Sequence, residues 1–193
     1  MGRHEHRTAL LDACVLFPIV VCDALLSVAR ERLFDPVWTA RIDDEGGTAL
    51  ERKYRIQASA IALRRQVMHE AFPRWEVREE SWRMHESRWR LPDPGDAHVL
   101  AAAVAGHASW IVTFNLKDFP IDTLAPLDIE AIHPDDFLAA QWDADERSVW
   151  RALARMRSRR KQPAMSSEAF AEVLELNSLA ALARRLRAAE SFP

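Results

Sequence analysis

Short apolar runs alternate with longer amphipathic stretches along most of this chain, and the spacing predicts strands and helices in turn. Thr8-Ala9-Leu10-Leu11-Asp12 reads as a short buried strand ending in an acid. Pro18 opens an apolar helix over residues 19–33, and Asp35-Pro36 stops it. Val37-Trp38-Thr39 reads as a second strand, and Thr39 can cap a helix carrying Ile42, Glu45 and Ala49. Gly46-Gly47 weakens that helix and leaves its end open. Residues 57–70 predict another helix, and Trp75-Glu76-Val77 is a further strand candidate. Asp93-Pro94-Gly95-Asp96 is the clearest helix start, with Asp93 as cap and Pro94 in the first helical position. That helix runs through Ala105 and stops at Gly106. Trp110-Ile111-Val112-Thr113 and Ile129-Glu130-Ala131-Ile132 follow as strands, and Asp135 or Asp136 opens a helix through Trp142.

Strands alternating with helices imply an α/β fold with a mostly parallel central sheet. After Asp143 the pattern is helical only. Val149, Trp150, Leu153 and Met156 make one apolar stripe. Ser166 or Ser167 caps a helix with Phe170, Val173 and Leu174, and Asn177-Ser178 separates it from a last helix with Leu179, Leu182 and Leu186. The chain therefore divides into an α/β domain over residues 1–142 and a helical extension over residues 143–193.

Composition narrows the function. A net charge of −3 disfavours a globally basic, passive nucleic-acid binder, although an enzyme on RNA needs only a local basic rim. Cys14 and Cys22 sit in apolar stretches and read as small core residues in a reducing compartment. No apolar run is long enough to span a bilayer, and the charged start lacks a cleavable apolar segment, so the expectation is a cytoplasmic protein without membrane contact. Five glycines and no Gly-rich phosphate loop argue against nucleotide-binding motifs.

The chemistry lies in acids that break the apolar pattern. In an open parallel sheet, ligands sit beyond the carboxyl ends of the strands, and Asp12 falls at such an end, as a site residue or as a cap for the next helix. Asp96 shares a helix face with Val99, Leu100 and Ala103, which predicts an inward carboxylate, whereas His98 points away. Thr113-Phe114-Asn115-Leu116-Lys117-Asp118 places a hydroxyl, an amide and a carboxylate after a buried strand. Glu45 lines up with Ile42 and Ala49, which suggests that it faces inward, though periodicity does not exclude Asp43. Oxygen donors alone select hard cations such as Mg²⁺ or Mn²⁺, and no Cys/His set has zinc spacing. Arg41, Arg52, Lys53 and Lys117 are candidates for substrate contact. The basic run Arg155-Met156-Arg157-Ser158-Arg159-Arg160-Lys161 suits RNA, an acidic partner or an exposed helix end equally.

Four segments in order resemble the PIN-domain nucleases, and among them the VapC-like toxins. They are Leu10-Leu11-Asp12-Ala13-Cys14 to Pro18, Pro36-Val37-Trp38-Thr39 to Glu45, Pro92-Asp93-Pro94-Gly95-Asp96-Ala97-His98, and Ile111-Val112-Thr113-Phe114-Asn115-Leu116-Lys117-Asp118-Phe119-Pro120. The resemblance covers residues 8–140 and implies a PIN-like three-layer fold with a helical C-terminal extension. It implies Asp12, Glu45 and Asp96 as acids of a Mg²⁺ or Mn²⁺ site, with Asn115 or Asp118 as the fourth member and Thr113 orienting Asp12. Cys14 departs from the small polar residue usual at its position. The implied chemistry is hydrolysis of an RNA phosphodiester by a metal-activated water, and the implied partners are RNA, a cognate antitoxin or a second copy of the chain. The apolar helix 19–33 is one surface such a partner could cover, or else part of the core.

Overall fold

The computed structural model describes residues 7–159 and 165–189. Its elements are β1 (Thr8–Leu11), α1 (Ala13–Leu16), α2 (Ile19–Ala29), β2 (Asp35–Val37), α3 (Ala40–Tyr54), α4 (Ala58–Ala71), α5 (Glu79–Trp82), α6 (Ala97–Ala105), β3 (Ala108–Val112), α7 (Ile121–Leu124), β4 (Glu130–Ile132), α8 (Pro134–Ala144), α9 (Glu146–Ser158), α10 (Ser167–Leu176) and α11 (Ala180–Ala188). Two compact units emerge, one of Arg7–Phe17 with Asp35–Ile132, the other drawing on Pro18–Phe34 and His133–Pro193.

The first unit holds a four-stranded sheet in the order β2-β1-β3-β4, parallel at every pairing, as the α/β pattern predicts. β1 is central, and Ala9, Leu10 and Leu11 are fully buried, which suits an unbroken apolar run. The second strand comes two residues earlier than the apolar pattern predicts. Pairing with β1 sets it: Thr8 lies opposite Asp35 and Leu10 opposite Val37. Pro36 is tolerated because β2 is an edge strand. Residues 75–77 form no strand but a single bridge, in which Trp38 N–H donates to Trp75 O and Val77 N–H to Trp38 O.

Thr39 caps α3 as expected, its hydroxyl accepting from Ile42 N at 3.1 Å. The glycine pair does not interrupt α3, which continues to Tyr54. A Cβ on Gly47 would lie 2.3 Å from Arg65 Nη2, the atom that donates to Asp43 O at 2.7 Å. The glycine is thus the space through which α4 sends a guanidinium over α3. Asp93 accepts from Gly95 N at 2.7 Å, a 3₁₀ turn spans Pro94–Asp96, and α6 follows.

The second unit is helical. α2 ends at Ala29, and Arg32 adopts a left-handed φ of 62°. Val21, Ala24, Leu25 and Val28 are fully buried, with α2 packed on α8 and α9, so core packing rather than a partner surface occupies this helix. Phe34 meets Phe137 edge to face at 4.8 Å. Buried Asp135 accepts from Ala181 N and Leu182 N at 2.7 and 2.9 Å, capping α11 from α8. The basic run is turned to internal pairing where it is described. Arg155 binds Glu31 at 2.7 Å, Arg157 binds Met165 O at 2.7 Å, and Arg159 binds Asp23. Arg160 and Lys161 lie outside the described residues. Among the described residues no helix is long and apolar enough to cross a membrane.

Candidate active site

The register of β1 and β3 builds the site. Leu11 lies opposite Val112, so the next residue on each strand, Asp12 and Thr113, comes side by side at the carboxyl ends. Both are buried. Thr113 Oγ1 donates to Asp12 Oδ2 at 2.7 Å and accepts from Asn115 N at 3.0 Å, which fixes the direction of the hydroxyl proton. Cys14 Sγ donates to the same Oδ2 at 3.1 Å and accepts from Phe114 N at 3.2 Å. Burial, and then the charge of Asp12, push the Cys14 thiol up to about 12, although its contact with Thr113 and the hydrogen bond from Phe114 N pull the other way. The thiol therefore stays protonated near neutral pH and acts as a donor. Asp12 Oδ2 is thus doubly held, while Oδ1 accepts no hydrogen bond among the described residues.

Asp96 ends the 3₁₀ turn at the mouth of α6, half-buried. Burial, and then the charges of Asp12, Asp93 and Asp118, push its carboxyl up to about 6, against the pull of His98. Asp12, Asp93 and Asp118 therefore each lie near enough for their charge to act on Asp96. Asp118 closes the 3₁₀ turn Leu116–Asp118, its N–H donating to Asn115 O at 3.0 Å. Asn115 and Lys117 are exposed.

The α3 acids differ from expectation. Glu45 does not face inward with Ile42: its side chain is 42% exposed. The inward acid is Asp43, which is already engaged by His69 at 2.9 Å and Arg65 at 3.5 Å. Burial pushes the Glu45 carboxyl up, but a hydrogen bond and charge from His98, then from Arg41, outweigh it and leave the group below the usual carboxylate range. Arg41 lies 3.2 Å from Glu45 and 2.8 Å from Glu86, so this candidate substrate contact is committed to two carboxylates.

His98 is the residue that sequence reasoning misplaced. It is 1% exposed, and its Nε2 lies 3.3 Å from Glu45 Oε1. α5 and the 3₁₀ turn Arg83–Arg88 cover the face of α6 opposite the sheet, with Trp82 6.1 Å from the imidazole. The signal was the i, i+2 spacing from Asp96, which puts a polar ring on an otherwise apolar helix. Glu45 and His98 thus meet, as do Asp12 and Thr113, while Asp12, Asp96 and Asp118 share a field. Among the described residues, no three His, Cys, Asp or Glu side chains form a group that could hold a metal ion.

Known proteins agree with this architecture. Residues 8–117 match the PIN domain family, and the chain belongs to that family. Residues 134–188 match the VapC50 C-terminal domain, and the pair of matches makes this a VapC-like PIN protein. Over 93 residues, 47% of its length, the chain is 43% identical to a protein of Mycobacterium tuberculosis (strain ATCC 25618 / H37Rv) described as "Putative ribonuclease VapC50". The aligned part spans 55% of that relative's length. No solved structure matches.

Proposed function

We propose that this chain is a Mg²⁺- or Mn²⁺-dependent endoribonuclease, the toxin of a type II toxin–antitoxin pair. The observation that carries the reading is the clamped Asp12 at the end of the central strand, sharing a field with Asp96 and Asp118. The donors fit the cation by chemistry: they are oxygens, one carboxylate oxygen of Asp12 is uncommitted, and the mutual repulsion at Asp96 is what a divalent charge relieves. Asp12 and Asp96 would hold the ion with Glu45, and Asn115 or Asp118 would complete the set. When bound, the cation supplies an acidified water and offsets charge on the leaving oxygen. The chain's own residues do the positioning. Thr113 and Cys14 fix the Asp12 carboxylate, His98 and Arg41 hold Glu45, and Lys117 stands exposed beside Asp118 for a backbone phosphate. All of these residues lie in the sheet-bearing unit. The same proposal ends the nuclease module near residue 142 and gives the extension over residues 143–193 no metal ligand.

Purified chain is expected to cleave RNA with Mg²⁺ or Mn²⁺ and to lose that activity in EDTA. Cleavage undiminished in EDTA, or restored only by Zn²⁺, overturns the mechanism. Growth arrest on expression, relieved by the product of the gene immediately upstream, tests the pairing. Such an inhibitor has an electrostatic route, an Arg or Lys set against Asp12, Glu45 and Asp96. A second reading, a PIN module that binds without cutting, is favoured by the absence of a closed donor set among the described residues. RNA binding with no cleavage under any divalent metal would select it.

A further inference from the structure

A cavity of about 620 Å³ opens in the sheet-bearing unit between the 3₁₀ turn Arg83–Arg88 and the start of α6. Pro94 and Ala97 form part of its wall, and these residues bracket Asp96 in the chain. The cavity therefore abuts the turn that carries a candidate metal ligand. Trp89, half-buried, contributes an indole, and Arg83 and Arg90 contribute two guanidiniums against a single carboxylate, Glu86. That carboxylate is already met by Arg41 at 2.8 Å. Arg83 pairs with Glu79, whereas Arg90 makes no ion pair among the described residues. The cavity thus combines an aromatic ring, an unneutralised cation and an apolar floor.

The neighbouring cavity, about 1030 Å³ between α3 and residues 76–86, offers a contrast. It presents six carboxylates against four guanidiniums, which repels a polyanion. Both cavities hold an indole, Trp89 in one and Trp82 in the other, but only the Trp89 cavity has the excess of positive charge that a nucleic-acid strand requires.

We propose that the Trp89 cavity is a base-binding subsite for the RNA strand beside the scissile phosphodiester. Trp89 stacks one unpaired nucleobase, and Arg90, with Arg83, meets the flanking phosphates. The assignment rests on the ribonuclease reading above and adds a requirement to it. Only a strand whose base is free to leave its stack can fill the cavity, so the substrate is single-stranded at this position.

The test uses the full chain carrying Asp96→Asn, so that binding is read without cutting. Fluorescein-labelled unstructured oligoribonucleotides are titrated, along with a set in which one base at a time is removed. Trp89→Ala should weaken binding about 5- to 150-fold, the range for loss of one base–aromatic stack, and Trp89→Phe should restore most of it. Arg90→Gln should weaken binding and flatten its salt dependence. One abasic position should cost affinity with Trp89 present and nothing with Trp89→Ala. Equal loss by Trp89→Ala on intact and abasic strands would overturn the subsite, as would unchanged affinity, or tight Trp89-dependent capture of an acidic peptide but of no RNA. Failure of the ribonuclease reading would show separately, as no cleavage by the unmutated chain with Mg²⁺ or Mn²⁺.

Discussion

The helical unit and the candidate site of the sheet-bearing unit treat their acids in opposite ways. In the helical unit six acids are answered. Glu31 binds Arg151 and Arg155, Asp23 binds Arg159, Asp143 binds Arg185, Arg187 takes both Glu168 and Glu175, and Asp135 caps α11. In the sheet-bearing unit Asp43 and Glu45 are answered too, but at Asp96 the charges of Asp12, Asp93 and Asp118 act against the pull of His98 alone. Evenly paired acids hold a fold together. Acids left to act against one another cost stability, and they point to a function that uses the charge.

The largest effect expected from breaking this contrast is on catalysis. Asp96→Asn should lower cleavage by about a thousandfold or more, in line with loss of a charge that acts on the transition state. Asp93→Asn should stay within a few-fold, because Asn also caps helices well. Initial rates on one RNA decide it, and a more damaging Asp93→Asn would exchange the roles of cap and ligand.

Stability gives the next test, and its sign is opposite. The Asp96 carboxyl titrates at about 6 in the fold, above the ordinary value near 3.9. Folding therefore favours the protonated acid, and stability present below about pH 4 is lost as pH rises through about 6. Without metal, Asp96→Asn should melt above the parent at pH 8, with the gap closing towards pH 4. Mg²⁺ should raise the melting temperature of the parent more than that of the variant. Scanning calorimetry across pH measures both, and a gap independent of pH would mean that the acids do not feel one another. The smallest effect belongs to the other unit. Asp143→Asn breaks an exposed pair with Arg185 and should leave the melting temperature nearly unchanged.

What the sequence disclosed follows from what periodicity can report. The place of Asp12 at a strand end was legible because an apolar run ends on it, and that of Asp96 in the turn before α6 because Asp93 already serves as cap. The parallel sheet was legible from alternation alone. Asp43, Asp44 and Glu45 were not separable: successive residues turn by about 100° on a helix, so three adjacent acids cover most of its circumference. His98 was misplaced because the cover on its side of α6 comes from residues 79–88, a polar stretch that does not announce a packing role. The extent of β2 depended on its pairing with β1, which no local pattern encodes.

The pairing of Leu11 with Val112 also sets a clock on the ribosome. The hydroxyl that clamps Asp12 belongs to Thr113 and is synthesised about a hundred residues after it. At roughly 5–20 residues per second, the acid waits on the order of 5–20 s for its partner. Throughout that interval the nascent chain lacks the neighbouring strand, and one half of its site has no fixed direction. Strand order alone therefore fixes how long the Asp12 carboxylate goes without the Thr113 hydroxyl that orients it.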